Sequence, residues 1–188
     1  VTEYDTILGD GDFGQTLKAA GEAIQQNLNN YPFYSYSKTI LALAETIDHS
    51  VGGTAAAIFC IYLNALATGL NKYDDSSSIP SSSISLSAWS KASLYALNSL
   101  QTYTLARQGD RTMMDTLIPF VETFQKEPHS LTHAIQAAHQ GMLSTKTQIA
   151  KLGRSSYLSN DDVQNANIPD PGAYGLDIIL EVIKDSLA

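Results

Sequence analysis

The sequence predicts an all-α domain of about seven helices joined mostly by short connections. Two observations carry this. Apolar residues recur three and four positions apart through most of the chain, the spacing of one helix face. No run alternates convincingly between apolar and polar, and only Tyr4 to Leu8 imitates a strand. The length of 188 residues suits a single domain, 1–188, with a sizeable core. Apolar residues make up 44% and charged residues 16%, a globular composition. A formal net charge of −8 argues against nucleic acid and anionic membrane as partners. Cys60 is the one cysteine, so no internal disulfide can form, and a buried thiol in a reducing, cytoplasmic setting is expected.

The elements follow in order. Gln15 to Asn29 places Leu17, Ala20, Ile24 and Leu28 at helical spacing, and Tyr31-Pro32 ends it. Ser37 can cap a second helix through His49, with Ile40, Leu41, Ala44 and Ile47 on one face. Gly52-Gly53-Thr54 opens an apolar helix to about Leu70. Asn64 and Thr68 interrupt its apolar run, which is short for a membrane span. Its small first turn, Thr54 to Ala57, leaves room for a ligand or another backbone. Residues 74–85 read "DDSSSIPSSSIS", too polar to offset the entropy of ordering, and are expected to form a flexible loop. Further helices fit Leu86 to Ala106, Thr112 to Lys126, Ser130 to Lys151 and Ala173 to Leu187. Between the last two lies a long polar connection, Lys151 to Gly172, of a length usually functional or disordered.

One stretch demands chemistry. "YDTILGDGDFGQT", from Tyr4, contains G-x-G-x-x-G at Gly9, Gly11 and Gly14, yet Asp10 and Asp12 stand between the glycines. A dinucleotide-binding turn needs a preceding strand and an acid about 20 residues on, and neither is present. A calcium loop starting at Asp10 would need glycine where Gln15 stands and glutamate where Gly21 stands. Two readings remain open on the residues alone. Asp5, Asp10 and Asp12 can hold magnesium that bridges phosphates, with Gly11 and Gly14 letting backbone N–H groups approach and the helix near Gln15 offering its positive end. The other reading is a solvated acidic turn, in which Asp-Gly pairs are common.

The motif set settles the preference. "YDTILGDGDFG", "GGTAAA" from Gly52, "GDRTMMD" from Gly109, "GRSSY" from Gly153 and "DPGAYG" from Asp170 occur in one order over nearly the whole chain. Together they resemble the nucleotide-binding L domain of dihydroxyacetone (glycerone) kinases. The resemblance implies an antiparallel helical barrel of eight helices, of which the first would precede Val1. The chain would then be a fragment of a longer kinase of glycerol metabolism. It implies ATP (or ADP) as cofactor and two Mg2+ ions on Asp5, Asp10 and Asp12. It also implies that Phe13, Gly14, Gln15, Thr16, Gly53, Thr54 and Ala55 line the phosphates, and that Gly109 and Ile118 border adenine. Arg154 would contact phosphate or ribose, and Asp170, Pro171 and Gly172 would close the site. The acceptor, a short ketose or aldose, would sit on a separate K domain in the same or another chain, with the full-length enzyme dimeric. Two departures stand out: Ala55 replaces a common serine, and "YLSNDDVQNANIPDPG" replaces a shorter, glycine-containing connection.

Rival classes remain. One is an ADP-retaining L subunit of a phosphotransferase-system-dependent enzyme, acting as phosphorelay and interaction module. A second is a fatty acid kinase, whose loop places Pro before Asp-Gly-Asp-Thr-Gly-Thr-Asn, unlike Gly9 and Phe13-Gly14-Gln15 here. A purely structural role leaves the aspartates unexplained. Other residues read as ordinary. His129 and His133, i and i+4, fit a solvent-facing helix start, and His49 and His139 ordinary helix positions. "YPFYSY" fits a connector filling a core gap, and Trp89 a core residue. Arg111 is expected to pair with Asp110 or Asp115, or to cap its turn.

Overall fold

The computed structural model describes residues 1–73 and 84–187, and every regular element among them is helical. The α-helices are α1 (Thr2–Leu8), α2 (Phe13–Asn27), α3 (Tyr36–Ser50), α4 (Gly53–Tyr73), α5 (Leu86–Leu100), α6 (Met114–Lys126), α7 (Leu131–Ser144), α8 (Asn160–Ala166) and α9 (Pro171–Leu187). Short 3-10 turns occur at Leu28–Asn30 and Arg154–Tyr157. The all-α class is as expected. Most of the serine-rich stretch, residues 74–83, lies outside the described residues. Ser85 at its end caps α5, its hydroxyl accepting the Ala88 N–H at 3.1 Å.

The elements fall into two compact groups, one of Val1–Leu17 with Leu105–Ala188 and the other of Lys18–Thr104. In the first, α6 supplies a buried stripe, Met114, Leu117, Ile118, Val121 and Phe124, at helical spacing. Ala134, Ile135, Ala138 and Met142 of α7 and Ala173, Leu176 and Leu180 of α9 are also buried. Burying one large apolar side chain of this kind contributes about 1.5–3 kcal/mol. Two close approaches position these helices. A Cβ at Gly141 of α7 would come 2.0 Å from the carbonyl oxygen of Asp115, beside the ring of Pro119 inside α6. A Cβ at Gly175 of α9 would come 2.8 Å from the Phe13 ring, at the start of α2. Tyr4 of α1 meets Tyr174 with ring centroids 5.0 Å apart.

In the second group α4 packs against both α3 and α5. Leu66 and Leu70 of α4 form a core with Ala92 and Ala96 of α5, and Trp89 packs partly buried against it. A Cβ at Gly69 would meet the Ala92 Cα at 2.8 Å, so the two backbones touch there. With 21 residues and a mean hydropathy of 1.5 in its most apolar window, α4 is long and apolar enough to cross a membrane by length and composition, contrary to the sequence reading.

Several boundaries differ from expectation. Tyr4 to Leu8 is helix, because Asp5 N–H and Gly9 N–H reach back to Val1 and Asp5 carbonyls in helical fashion. The fifth helix stops at Leu100 and the seventh at Ser144, each passing into turns rather than running to Ala106 and Lys151. The connection from Lys151 to Gly172 carries a 3-10 turn and α8. In "YPFYSY" only Tyr31 is buried, its hydroxyl bonded to Thr46 Oγ1 at 3.0 Å, whereas Phe33, Tyr34 and Tyr36 are exposed and fill no core gap.

Candidate functional site

The aspartate loop lies in the first group, between α1 and α2. Asp5, Asp10 and Asp12 each offer a carboxylate oxygen, and these atoms lie within 4.8 Å of one another. Asp5 is 5% exposed, while Asp10 and Asp12 are exposed. Local chemistry fixes the arrangement. The Asp5 carboxylate accepts the N–H of Phe13 at 2.8 Å through Oδ2, folding the loop back over α1. Its other oxygen occupies the place where a Gly9 side chain would begin: a Cβ there would stand 2.3 Å away. Gly11 has φ +77, a left-handed conformation that suits glycine. Gly14 sits against Thr2, whose hydroxyl a Cβ would meet at 1.9 Å. The Asp12 carbonyl accepts the Thr16 N–H at 3.0 Å and starts α2.

Three carboxylates and no nitrogen or sulfur form a hard-oxygen donor set, which fits magnesium with phosphate or water completing its octahedron. Two exposed carboxylates beside a buried one leave open positions on the solvent side. Phe13 is buried, Gly14 and Thr16 are partly buried, and Gln15 is exposed, all at the positive end of α2.

A second cluster of the same group involves the expected site residues Gly109, Asp170, Pro171 and Gly172. Asp115, 0% exposed, accepts the Gly109 N–H at 2.6 Å and the Thr112 N–H at 2.9 Å. Gly109, with φ +93, and Arg111, with φ 60, make the tight turn between them. Arg111 is also 0% exposed and donates through Nη2 to the Ile168 carbonyl at 2.9 Å. Its charge interacts with Asp170 and Asp115, and burial lowers its pKa against both of them. Asp110 takes no part in this; it is bonded to Lys151 Nζ at 3.1 Å and to the Arg107 N–H. Burial raises the Asp170 carboxyl to about 6, although the Ala173 N–H and the Arg111 charge pull it down. The Asp170 N–H donates to Thr145 Oγ1 at 2.9 Å, and its carboxylate caps α9 by accepting the Ala173 N–H at 2.9 Å. Pro171 is buried and Gly172 packs near Met113.

Ser155, the residue after Arg154, is buried and donates through Oγ to the Leu8 carbonyl at 3.1 Å. That bond ties the 3-10 turn carrying Arg154 to the end of α1, one residue before Gly9. Ile118 is 5% exposed within the α6 stripe. Gly53, Thr54 and Ala55 belong to the second group, where Gly53 has φ +87 and opens α4 with Thr54 exposed. The sequence reading named Asp115 only as a possible partner of Arg111 and did not foresee that its carboxylate holds the Gly109 turn through the Gly109 and Thr112 N–H groups.

A family model described as the DAK2 domain matches residues 7–185. Dihydroxyacetone kinase 2 of Saccharomyces cerevisiae is 38% identical over 189 residues, covering 96% of this chain and 30% of that protein. Triokinase/FMN cyclase of Homo sapiens is 33% identical over 191 residues, covering 97% of this chain and 31% of that protein. Among solved structures, the native dihydroxyacetone kinase of C. freundii matches with a TM-score of 0.77 at 24% identity, over 98% of this chain and 30% of that one. The same enzyme in complex with AMP-PNP and Mg2+ matches with a TM-score of 0.73, also at 24% identity and over 98% of this chain and 30% of that one. The chain spans about 30% of the length of the relatives it matches. On the family match across residues 7–185, the chain belongs to the DAK2-domain family.

Proposed function

We propose that this chain is the nucleotide-binding L domain of a dihydroxyacetone kinase, holding Mg·ATP for phosphoryl transfer to a short ketose or aldose carried by a separate K domain. The observation that carries this is the convergence of Asp5, Asp10 and Asp12 within 4.8 Å at the positive end of α2. The C. freundii relative solved with AMP-PNP and Mg2+ supports the same ligand class.

Two Mg2+ ions bound there would supply positive charge to offset the negative charge developing on the β- and γ-phosphates. The chain's own residues bind and orient. Asp5 is held by the Phe13 N–H, so a buried ligand is fixed before any ion arrives. Free N–H groups in the first turn of α2 can point at phosphate oxygens. The Ser155–Leu8 bond brings the Arg154 turn beside the loop. Asp115 and Arg111 hold the Gly109 turn and the segment before Asp170 as one unit. Orienting an acceptor hydroxyl is left to the K domain, and the loss of such positioning is worth roughly 7–11 kcal/mol.

Calorimetric titration tests the ligand assignment. Asp10→Asn and Asp12→Asn are each expected to abolish Mg·ATP binding while the helical circular dichroism persists. Unchanged affinity in both would overturn it. A coupled assay tests the acceptor. Dihydroxyacetone phosphate is expected only when a K domain is added in trans, and robust formation by this chain alone would place the acceptor site on this chain and overturn the assignment to a separate domain. Tightly retained ADP that fails to exchange with free ATP would instead indicate the phosphorelay form.

A further inference from the structure

His139 of α7 and Asp177 and Glu181 of α9 form a second group of potential ligands, separate in sequence from the aspartate loop. One donor atom from each lies within 4.8 Å of the others. Asp177 and Glu181 are i and i+4, one turn apart on the same face. His139 Nδ1 lies 3.0 Å from Asp177 Oδ2 and 3.3 Å from Oδ1. Asp177 is 4% exposed, and both its oxygens turn to that single imidazole nitrogen. A carboxylate offers about four acceptor positions, and among the described residues His139 is the one hydrogen-bonding partner of this buried one. Glu181 adds a second negative charge, offset at present by Lys184, which bonds its Oε2 from the half-exposed side.

The geometry points to a divalent-cation site of the zinc class, formed by His139, Asp177 and Glu181 between α7 and α9. Zinc binds imidazole nitrogen and carboxylate oxygen at about 2.0–2.2 Å, so two tetrahedral ligands stand about 3.3 Å apart. The His139–Asp177 separations already lie at that edge length, and an ion can replace the shared hydrogen bond with little movement. Glu181, partly exposed, closes the third position by releasing Lys184, and water completes the fourth. The imidazole selects against magnesium and calcium, which take oxygen ligands, and favours zinc or cobalt. The ion would join two helices of the first group, one of which begins beside Asp170.

The test is a Co2+ titration of the untagged, EDTA-stripped chain in excess Mg2+, added to occupy the aspartate loop as the proposed function requires. One equivalent of Co2+ is expected to give visible d–d absorption that Zn2+ bleaches. His139→Gln and Glu181→Gln should each weaken Co2+ binding at least tenfold, while the Asp10→Asn/Asp12→Asn double variant keeps it. Glu181→Gln leaves the His139–Asp177 hydrogen bond in place, so it separates ligation from helix packing even where His139→Gln misfolds. Absence of saturable Co2+ absorption, unchanged affinity in Glu181→Gln, or loss of the signal in the double aspartate variant would each overturn the site.

Discussion

Arg111 Nη2 donates to the carbonyl oxygen of Ile168 at 2.9 Å, joining segments 57 residues apart. The guanidinium is fully buried, and its Nε and Nη1 have no hydrogen-bond partner among the described residues. Its worth therefore lies in charge as well as in one hydrogen bond: it faces Asp115 and Asp170. Arg111→Met would keep much of the volume and leave two carboxylates without their counter-charge. Breaking a buried ion pair from one side costs about 3–5 kcal/mol. Urea denaturation should show a loss of that order, and a loss below about 1 kcal/mol would contradict the electrostatic role.

Stability should depend on pH through Asp170. Burial raises its folded pKa to about 6 from the ordinary 3.8, so between those values the folded chain holds a proton that the unfolded chain has released. Unfolding then releases a proton, and the contribution of this group falls as pH rises from about 4 to 6. Above 6 the penalty is complete, with an upper bound of about 3 kcal/mol that partial exposure reduces. Asp170→Asn keeps the oxygen that caps α9 and removes the titration. Its denaturation midpoint, compared with the parent chain from pH 4 to 7, should gain relative stability as pH rises. Parallel profiles would refute the shift.

Two glycine-to-alanine changes should act with opposite sign. At Gly69 the new methyl would meet the Ala92 backbone, with Cα at 2.8 Å and carbonyl oxygen at 3.1 Å, and α4 and α5 would have to separate. Overpacking of that kind costs about 1–3 kcal/mol. At Gly21, mid-way along α2, nothing lies within 4 Å of the new Cβ. Lower unfolded-state entropy should then stabilise the chain by about 0.5–1 kcal/mol. Thermal melts of the two variants decide both.

Without metal, the three aspartates of the loop repel one another. Asp12→Asn removes one exposed charge and no hydrogen bond to its side chain found among the described residues. In EDTA its melting temperature should match or exceed that of the parent. With saturating Mg·ADP the order should reverse, since only the parent gains ligand stabilisation. A variant that melts lower in EDTA would show that the carboxylate supports the fold itself.

Much of this was legible because it was local. Helical spacing marks α2, α3, α4, α6, α7 and α9, and the glycines of the aspartate loop stand where φ or close approach demands them. The misses have physical reasons. α1 has seven residues, too few for a period, and the β-branched pair Thr6 and Ile7 gives its stretch from Tyr4 to Leu8 a strand's appearance. α8 is equally short and lies in a polar connection. The aromatic run "YPFYSY" looks like core by composition, but apolar side chains are also common on surfaces. His139 read as ordinary because Asp177, its partner, lies 38 residues away. Of the two local partners expected for Arg111, the charge of Asp115 does face it, whereas Asp110 is held by Lys151; its bond to the Ile168 carbonyl, 57 residues away, had no local signal.

The meeting of Pro119 and Gly141 has a consequence for how the first group finds its arrangement. Proline lacks an N–H, so the Asp115 carbonyl four residues earlier loses its helical donor and stands bare on the surface of α6. Gly141 is the one glycine in α7, and its bare Cα fits against that oxygen. Sliding α7 by a turn would bring Ala137, Ala138, Ser144 or Thr145 there, each with a Cβ that the contact cannot admit. The pair therefore works as a key and a notch, defining one register and penalising its neighbours. The helices it aligns are linked by only four residues, 127–130, so the choice can be made early and locally during folding. Either residue changed alone would blunt that choice, and the two positions are expected to be free to change only together.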